Sequence, residues 1–323
     1  MKLELRSVRL KNCGPLDDVK IDFFDSSGKT LPVCVIGGAN GSGKTTILEA
    51  IVAMGSLFSK QLEEIPIDRP RFPGYVQLDI KLGDLDCSLW RGVVPSDIQL
   101  QAEAWGQLYE MVRHESDSFT VTKLGGTSKL EAFRYDVLEK PEKFPSIIYL
   151  PHNRSLEPIA GTEIRKEEND HLFVHRFQSV RQFPGSLTSH LIWLEYAELE
   201  RYAAIQQFLN SLNFDGKVFR VDRKSLSVIV KTKSGAEHPL HELSSGEQNL
   251  LIILIELYRK LTPGSIVLID EIENSLHPAF QHKLGQGLLK LQREIPFQLI
   301  VTTHAPAFLE IFGARNTRLL TAF

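Results

Sequence analysis

Gly37-Gly38-Ala39-Asn40-Gly41-Ser42-Gly43-Lys44-Thr45-Thr46 is the stretch whose reading decides the fold. It follows the apolar run Val33-Cys34-Val35-Ile36 and precedes Ile47, Leu48, Ile51, Met54, Leu57 and Phe58, spaced by threes and fours. That order predicts a buried strand, a glycine-rich turn and an amphipathic helix. Gly38 to Thr45 fits G-x-x-x-x-G-K-[ST] in the strand-to-helix context the motif requires. Glycines let the backbone of Gly38, Asn40, Gly41, Ser42 and Gly43 curl so that successive N–H groups face phosphate oxygens. The helix opening at Lys44, Thr45 and Thr46 adds the positive end of its dipole. Lys44 brings a mobile ammonium to the β- and γ-phosphates, and Thr45 offers a hydroxyl to Mg²⁺, a hard cation that prefers oxygen. A nucleoside triphosphate is the expected ligand.

The rest of the chain sets the frame for that loop. With 323 residues, 42% of them hydrophobic and 24% charged, there is ample material for a globular core. A formal charge of −3 points neither toward nor away from nucleic acid, so any basic patch must be local. Cys13, Cys34 and Cys87 are scattered and lack metal-ligand spacing, which reads as free thiols in a reducing compartment. Met1-Lys2-Leu3-Glu4-Leu5-Arg6 alternates charged and apolar residues, unlike a signal peptide, and the longest apolar run, Leu250 to Ile255, is far too short to span a membrane. A soluble, cytoplasmic protein is expected.

In chain order, residues 2–10 and 19–23 alternate around Asn12-Cys13-Gly14-Pro15 and predict a hairpin ahead of the glycine-rich loop. Pro66, Pro70 and Pro73 mark a loop; Val76 to Ile80 and Cys87 to Trp90 read as strands. A helix is expected near 99–113, followed by a polar, glycine-containing stretch, so that 63–145 reads as a partly β insertion. Ile147-Ile148-Tyr149-Leu150 is a short buried strand, and 155–185 reads as a flexible loop. Ser186 to Leu212 reads as helical, with Ile192, Tyr196, Leu199 and Ala203 on one stripe that Ile205, Phe208, Leu209 and Leu212 continue after a slip. Val218–Val221 and Leu226–Val230 follow as a hairpin. Its Arg220, Arg223 and Lys224 are either a basic edge or a solvated turn.

A second cluster lies between 243 and 304. Leu243-Ser244-Ser245-Gly246-Glu247-Gln248 leads into a helix, Leu250 to Leu257, that is apolar on nearly all sides and must be buried. Ile266-Val267-Leu268-Ile269 is a buried strand ending in Asp270-Glu271, and the C-terminal ends of parallel strands are where such sheets keep ligands. Asp270 is placed to hold Mg²⁺, directly or through water, and Glu271 to serve as general base toward an attacking water. Pro278 opens a helix with Phe280, Leu284, Leu288 and Leu291 on one face. Gln298 to Thr302 is a further strand that delivers Thr303-His304-Ala305-Pro306, and Thr317–Thr321 reads as a last strand.

The ordered set Gly38–Thr45, Leu243–Gln248, Ile266–Glu271, Leu276-His277-Pro278 and Thr303–Pro306 resembles an ABC-class ATPase. Within that class it is similar to the soluble branch of SMC, RecF and OLD-related AAA-family ATPases of DNA repair and bacterial anti-phage defence. The resemblance implies an α/β fold: a P-loop ATPase head with a largely parallel core sheet, an N-terminal antiparallel β subdomain and a helical insertion. As one ATPase domain over 1–323, it would comprise a lobe at about 1–150, an insertion at about 155–240 and a C-terminal lobe at 241–323. By position it makes Lys44 and Thr45 the Walker A lysine and metal ligand, and Asp270 and Glu271 the Walker B aspartate and catalytic glutamate. Ser244 and Gly246 become signature residues that touch the γ-phosphate of ATP held by a second subunit, and His304 becomes the switch histidine. It implies ATP and Mg²⁺ as cofactors and a homodimer or higher oligomer through shared ATP sites. A separate effector protein, such as a nuclease, would be a partner; nucleic acid is a further candidate and a membrane is not.

Two positions depart from that pattern. Where the class has Pro-Gln beside the metal and water, Leu150-Pro151 is followed by His152; either His152 or Asn153 replaces the glutamine, or coupling works differently here. Gly14 stands where coiled-coil repair relatives carry an arginine near the base, so a preference for ATP over GTP rests on the resemblance alone. The competing readings are a nucleotide-binding subunit of a membrane transporter and a nucleotide-gated scaffold with little turnover. The first lacks its glutamine at His152, and the second is disfavoured by Glu271.

Overall fold

The strand predicted before the glycine-rich loop lies inside a six-stranded parallel sheet. In this computed structural model, residues 2–58, 74–110, 120–156, 172–179, 186–211 and 216–320 are described. The chain runs β1 (Leu3–Cys13), β2 (Leu16–Asp22), β3 (Val33–Gly38), α1 (Lys44–Gly55), β4 (Tyr75–Leu82), β5 (Leu85–Arg91), β6 (Glu103–Glu110), β7 (Thr120–Gly126), α2 (Ser128–Glu139), β8 (Ile147–Leu150) and β9 (Val174–Arg176). It continues with α3 (Leu187–Ala197), α4 (Leu199–Ser211), β10 (Val218–Asp222), β11 (Ser227–Lys231), β12 (Glu237–Pro239), α5 (Ser245–Lys260), β13 (Ile266–Ile269), α6 (Pro278–Glu294), β14 (Gln298–Thr303), α7 (Pro306–Phe312) and β15 (Thr317–Leu320).

The parallel sheet has the order β15-β3-β14-β13-β8-β9, with every neighbouring pair parallel. Val33–Ile36 of β3 and the whole of β8 and β13 read as unbroken apolar runs because both faces are covered. Val35, Leu150, Ile269 and Val301 face a core shared with α3 to α7, whereas Ile36, Tyr149, Leu268 and Ile300 face one shared with α1 and the second sheet. α6 turns Leu284 and Leu288 inward to full burial, each contributing about 1.5–3 kcal/mol. The second sheet, β2-β1-β4-β5-β6-β7, is antiparallel except between β5 and β6. Gln298 links the two sheets: its Oε1 accepts from Leu5 N (2.8 Å) and its Nε2 donates to Leu5 O (3.0 Å). A small antiparallel sheet, β10-β11-β12, lies beyond α4.

Three expectations are corrected. Glu103–Glu110 is strand β6, not part of a helix near 99–113, because pairing with β5 and β7 outweighs a weak local preference. Residues 111–113 of that expected helix fall outside the described residues, as do Pro66, Pro70, Pro73, Leu212 and Thr321. The expected helix over 186–212 breaks at Glu198 (φ −136°, ψ 58°). The break re-aims the second half, so Tyr202, Ile205 and Leu209 are buried while Tyr196 and Leu199 are more than 60% exposed. In the segment read as a loop over 155–185, 174–176 is instead β9 on the edge of the parallel sheet, where Ile147 N also bonds Phe173 O. Much of the remainder of that segment is outside the described residues.

Candidate active site

Four strands of the parallel sheet end at one edge, and their C-terminal extensions form the site. β3 runs into the glycine-rich loop, β8 into Pro151-His152, β13 into Asp270-Glu271 and β14 into Thr303-His304. The loop curls as its composition requires: Gly41 (φ 79°) and Gly43 (φ 89°) occupy the left-handed region. A Cβ on Gly43 would lie 2.5 Å from Leu16, and one on Gly38 would lie 2.7 Å from Ser42 Oγ. α1 begins at Lys44 with no acidic residue in its first turn, which leaves its positive end free to meet an anion. An open cleft here is lined by Pro15, Asn40, Gly43, Lys44, Thr46, Glu271 and His304, among others.

Lys44 is buried at the cleft floor and folds back on the loop, Nζ donating to Gly38 O (3.0 Å) and Ala39 O (2.8 Å). Burial lowers its pKa, and the charges of Glu271, Asp270 and Glu273 oppose that shift. Asp270 is fully buried. Its Oδ2 accepts from Thr45 Oγ1 (2.8 Å) and lies 3.3 Å from His152 Nδ1, while its Oδ1 accepts from Thr302 Oγ1 (2.6 Å). Glu271 adopts φ 45°, a strained backbone for a side chain of its size, and its N–H donates to Thr302 Oγ1 at 2.7 Å. The turn it makes carries its carboxylate into the cleft beside Lys44 and His304.

The donor set fits the expected cofactors. A threonine hydroxyl and a carboxylate oxygen within hydrogen-bond distance are hard oxygen ligands of the kind Mg²⁺ takes. Ser42 Oγ is buried in the loop without a hydrogen-bond partner, as an atom awaiting an acceptor would be.

Ser244 lies apart from this cluster, as the N-cap of α5, and it is exposed. Its hydroxyl donates to Glu247 Oε2 (2.8 Å) and Glu247 forms an ion pair with Lys217, so α5 starts in a closed capping box. Gly246 is required by close approach: a Cβ there would lie 2.5 Å from Ser275 O. His277 caps α6, its Nδ1 accepting from Ala279 N at 3.3 Å. Of the hairpin cations, Arg220 pairs with Glu237 and Arg223 with Glu195, which favours a solvated turn over a basic edge.

Sequence reasoning missed Arg154, Asn249, Thr302 and Glu273. The Arg154 guanidinium is buried and makes five hydrogen bonds, to Asn249 Oδ1 (2.6 Å) and the carbonyls of Leu150, Pro151, Asp270 and Glu271 (2.6–3.0 Å). Burial pulls its pKa down to about 10. Glu273 Oε1 accepts from His304 N at 2.5 Å and so fixes the loop after β14. Arg154 stands four residues after Leu150, the last residue of β8, and only its place two residues beyond His152 marks it in the sequence.

Fold and site together define a P-loop NTPase with a head of the ABC and SMC type. Residues 128–310 match the family described as "AAA domain, putative AbiEii toxin, Type IV TA system", and residues 7–82 match a description that reads "AAA domain". The first match covers more than half of the chain, and the chain belongs to that AAA-domain family. It is similar to the Retron Ec83 probable ATPase of Escherichia coli, 35% identical over 112 residues, or 31% of this chain and 20% of that relative. It is also similar to the Septu protein PtuA of Bacillus mycoides, 24% identical over 312 residues, 94% of this chain and 38% of that protein. The chain thus spans well under half the length of both. Among solved structures, an SMC head bound to the C-terminal winged-helix domain of ScpA superposes with a TM-score of 0.53 at 15% identity, covering 95% of this chain and 91% of that one. Among the described residues no helix is long and apolar enough to cross a membrane.

Proposed function

We propose that this chain binds ATP with Mg²⁺ and hydrolyses it to ADP and phosphate in a site that two copies share. The single observation that carries the reading is the convergence of Lys44, Thr45, Asp270, Glu271 and His152 at one sheet edge, with Thr45 Oγ1 2.8 Å and His152 Nδ1 3.3 Å from Asp270 Oδ2. Thr45 and Asp270 would hold Mg²⁺, which when bound supplies positive charge against the β- and γ-phosphate oxygens. Lys44 leaves the Gly38 and Ala39 carbonyls to meet the γ-phosphate, and the loop N–H groups hold the developing charge. Glu271 orients a water for in-line attack and takes its proton, with His304 donating to a γ-phosphate oxygen. Thr302 sets this geometry by bonding both Asp270 Oδ1 and the Glu271 N–H.

Ser244 and the N-terminal end of α5 stand outside their own cleft, which supports closure on the nucleotide of a second copy in a two-fold arrangement. The likeness to proteins named for retrons and for Septu supports a role in anti-phage defence, with nucleotide state gating a separate effector. Phosphate release tests the reading: the wild-type chain turns over with Mg²⁺, and Glu271→Gln slows it about a hundredfold or more while still binding ATP. Equal rates in the two proteins would remove Glu271 from its role.

A further inference from the structure

The loop after β8 is bonded both to α5 and to the strand ends that carry the carboxylates. Arg154 Nε donates to Asn249 Oδ1, and Leu156 N donates to Gln248 Oε1 at 3.0 Å, so two consecutive residues of α5 grip one segment. The other guanidinium nitrogens bond the carbonyls of Leu150 and Pro151, at the end of β8, and of Asp270 and Glu271, at the end of β13. Asn249 then donates through Nδ2 to Asn274 O (2.6 Å), and Asn274 Nδ2 donates to His152 O (2.7 Å). Arg154 N closes the ring on that same His152 carbonyl at 3.0 Å.

No carboxylate side chain bonds this guanidinium in the described residues; its acceptors are carbonyl oxygens. A buried cation held that way costs desolvation that an apolar residue would avoid, so packing alone does not account for it. Its planar fork is what lets one side chain register two strand ends and a helix at fixed distances, and an ammonium cannot copy that geometry.

We propose that Arg154 is a positioning residue that couples the N-terminal end of α5 to the hydrolytic carboxylates, so that contact made at Ser244 sets the Asp270–Glu271 geometry. The proposal rests on the cleft being an ATP site. A push on the start of α5 reaches Asn249 within about a turn of helix. From there it passes by two hydrogen bonds, through the Arg154 guanidinium, to the backbone of Asp270 and Glu271, and by two more, through Asn274, to that of His152.

The test measures steady-state phosphate release and the affinity for a fluorescent ATP analogue in wild type, Arg154→Lys, Asn249→Ala and the double variant. Both single changes are expected to lower kcat about tenfold or more, with Kd within about threefold of wild type. The double variant should fall no further than the worse single one, because both cut one relay. Asn249→Asp keeps an oxygen for Arg154 and should recover turnover relative to Asn249→Ala, which holds the proposal testable even where Arg154→Lys folds poorly. Turnover kept within threefold, losses that multiply, or Kd rising as far as kcat falls would overturn the inference while wild-type activity leaves the ATPase reading intact. A wild type that binds ATP without releasing phosphate would overturn both.

Discussion

Replacing Lys44 with alanine perturbs the cleft at its one buried ammonium among the described lining residues. The magnitude follows from where Nζ sits. It already satisfies two carbonyl acceptors, Gly38 O and Ala39 O, and must leave them to reach a phosphate. Binding therefore exchanges ammonium–carbonyl bonds for ammonium–phosphate bonds, and the net gain is close to one charge-assisted hydrogen bond, about 1.5–3 kcal/mol, rather than two. That corresponds to a loss of about ten- to a hundredfold in affinity. Stability of the nucleotide-free protein should move little. Burial disfavours the ammonium while Glu271, Asp270 and Glu273 favour it, and alanine removes both effects together. Titration of wild type and Lys44→Ala with a fluorescent ATP analogue in Mg²⁺, paired with thermal melts without nucleotide, reads both quantities. An affinity within about threefold of wild type would show that Lys44 stays on its loop carbonyls when nucleotide binds, and would refute the reasoning.

His152→Ala should lower turnover more than ATP affinity, since its ring stands 3.3 Å from Asp270 Oδ2 and its side chain is about half exposed; a rise in Kd matching the fall in kcat would count against it. For Glu247, burial raises the carboxyl, but hydrogen bonds from Lys217 and Ser244 more than offset this and hold it below its ordinary 4.5. A lowered folded-state pKa means stabilisation that is present above 4.5 and lost as pH falls through the folded value. Glu247→Gln should accordingly cost about 0.5–2 kcal/mol at neutral pH, with the gap to wild type in urea melts closing below pH 4.5. A gap that widens in acid would contradict the capping box as its origin.

Much of this site was legible because its residues sit where local chemistry forces them. The glycine-rich loop needs left-handed backbone at Gly41 and Gly43, and the carboxylates follow the buried run Ile266–Ile269. The signals that failed are non-local ones. Strand β6 exists because β5 and β7 pair with it, and no pattern inside Glu103–Glu110 announces either partner. β9 is three residues long and held by the edge of β8. The break at Glu198 carries no proline or glycine, so the stripe through Tyr196 and Leu199 read as continuous when both face solvent. Arg154 is the instructive case. One arginine in Pro151-His152-Asn153-Arg154 looks like any surface cation until the fold brings carbonyls from β8 and β13 and the Asn249 amide around it.

The shared site is the central claim, and Ser244→Arg tests it most directly. The hydroxyl that would meet a second copy's γ-phosphate is exposed at the start of α5, outside the cleft that holds Lys44 and Glu271. An arginine there crowds that contact without touching its own glycine-rich loop. Phosphate release by Ser244→Arg, measured together with its mass in solution under ATP and Mg²⁺, gives the answer. The account predicts ATP binding close to wild type, no nucleotide-driven dimer and turnover reduced to background. Full hydrolysis by a Ser244→Arg protein that stays monomeric with ATP would contradict it.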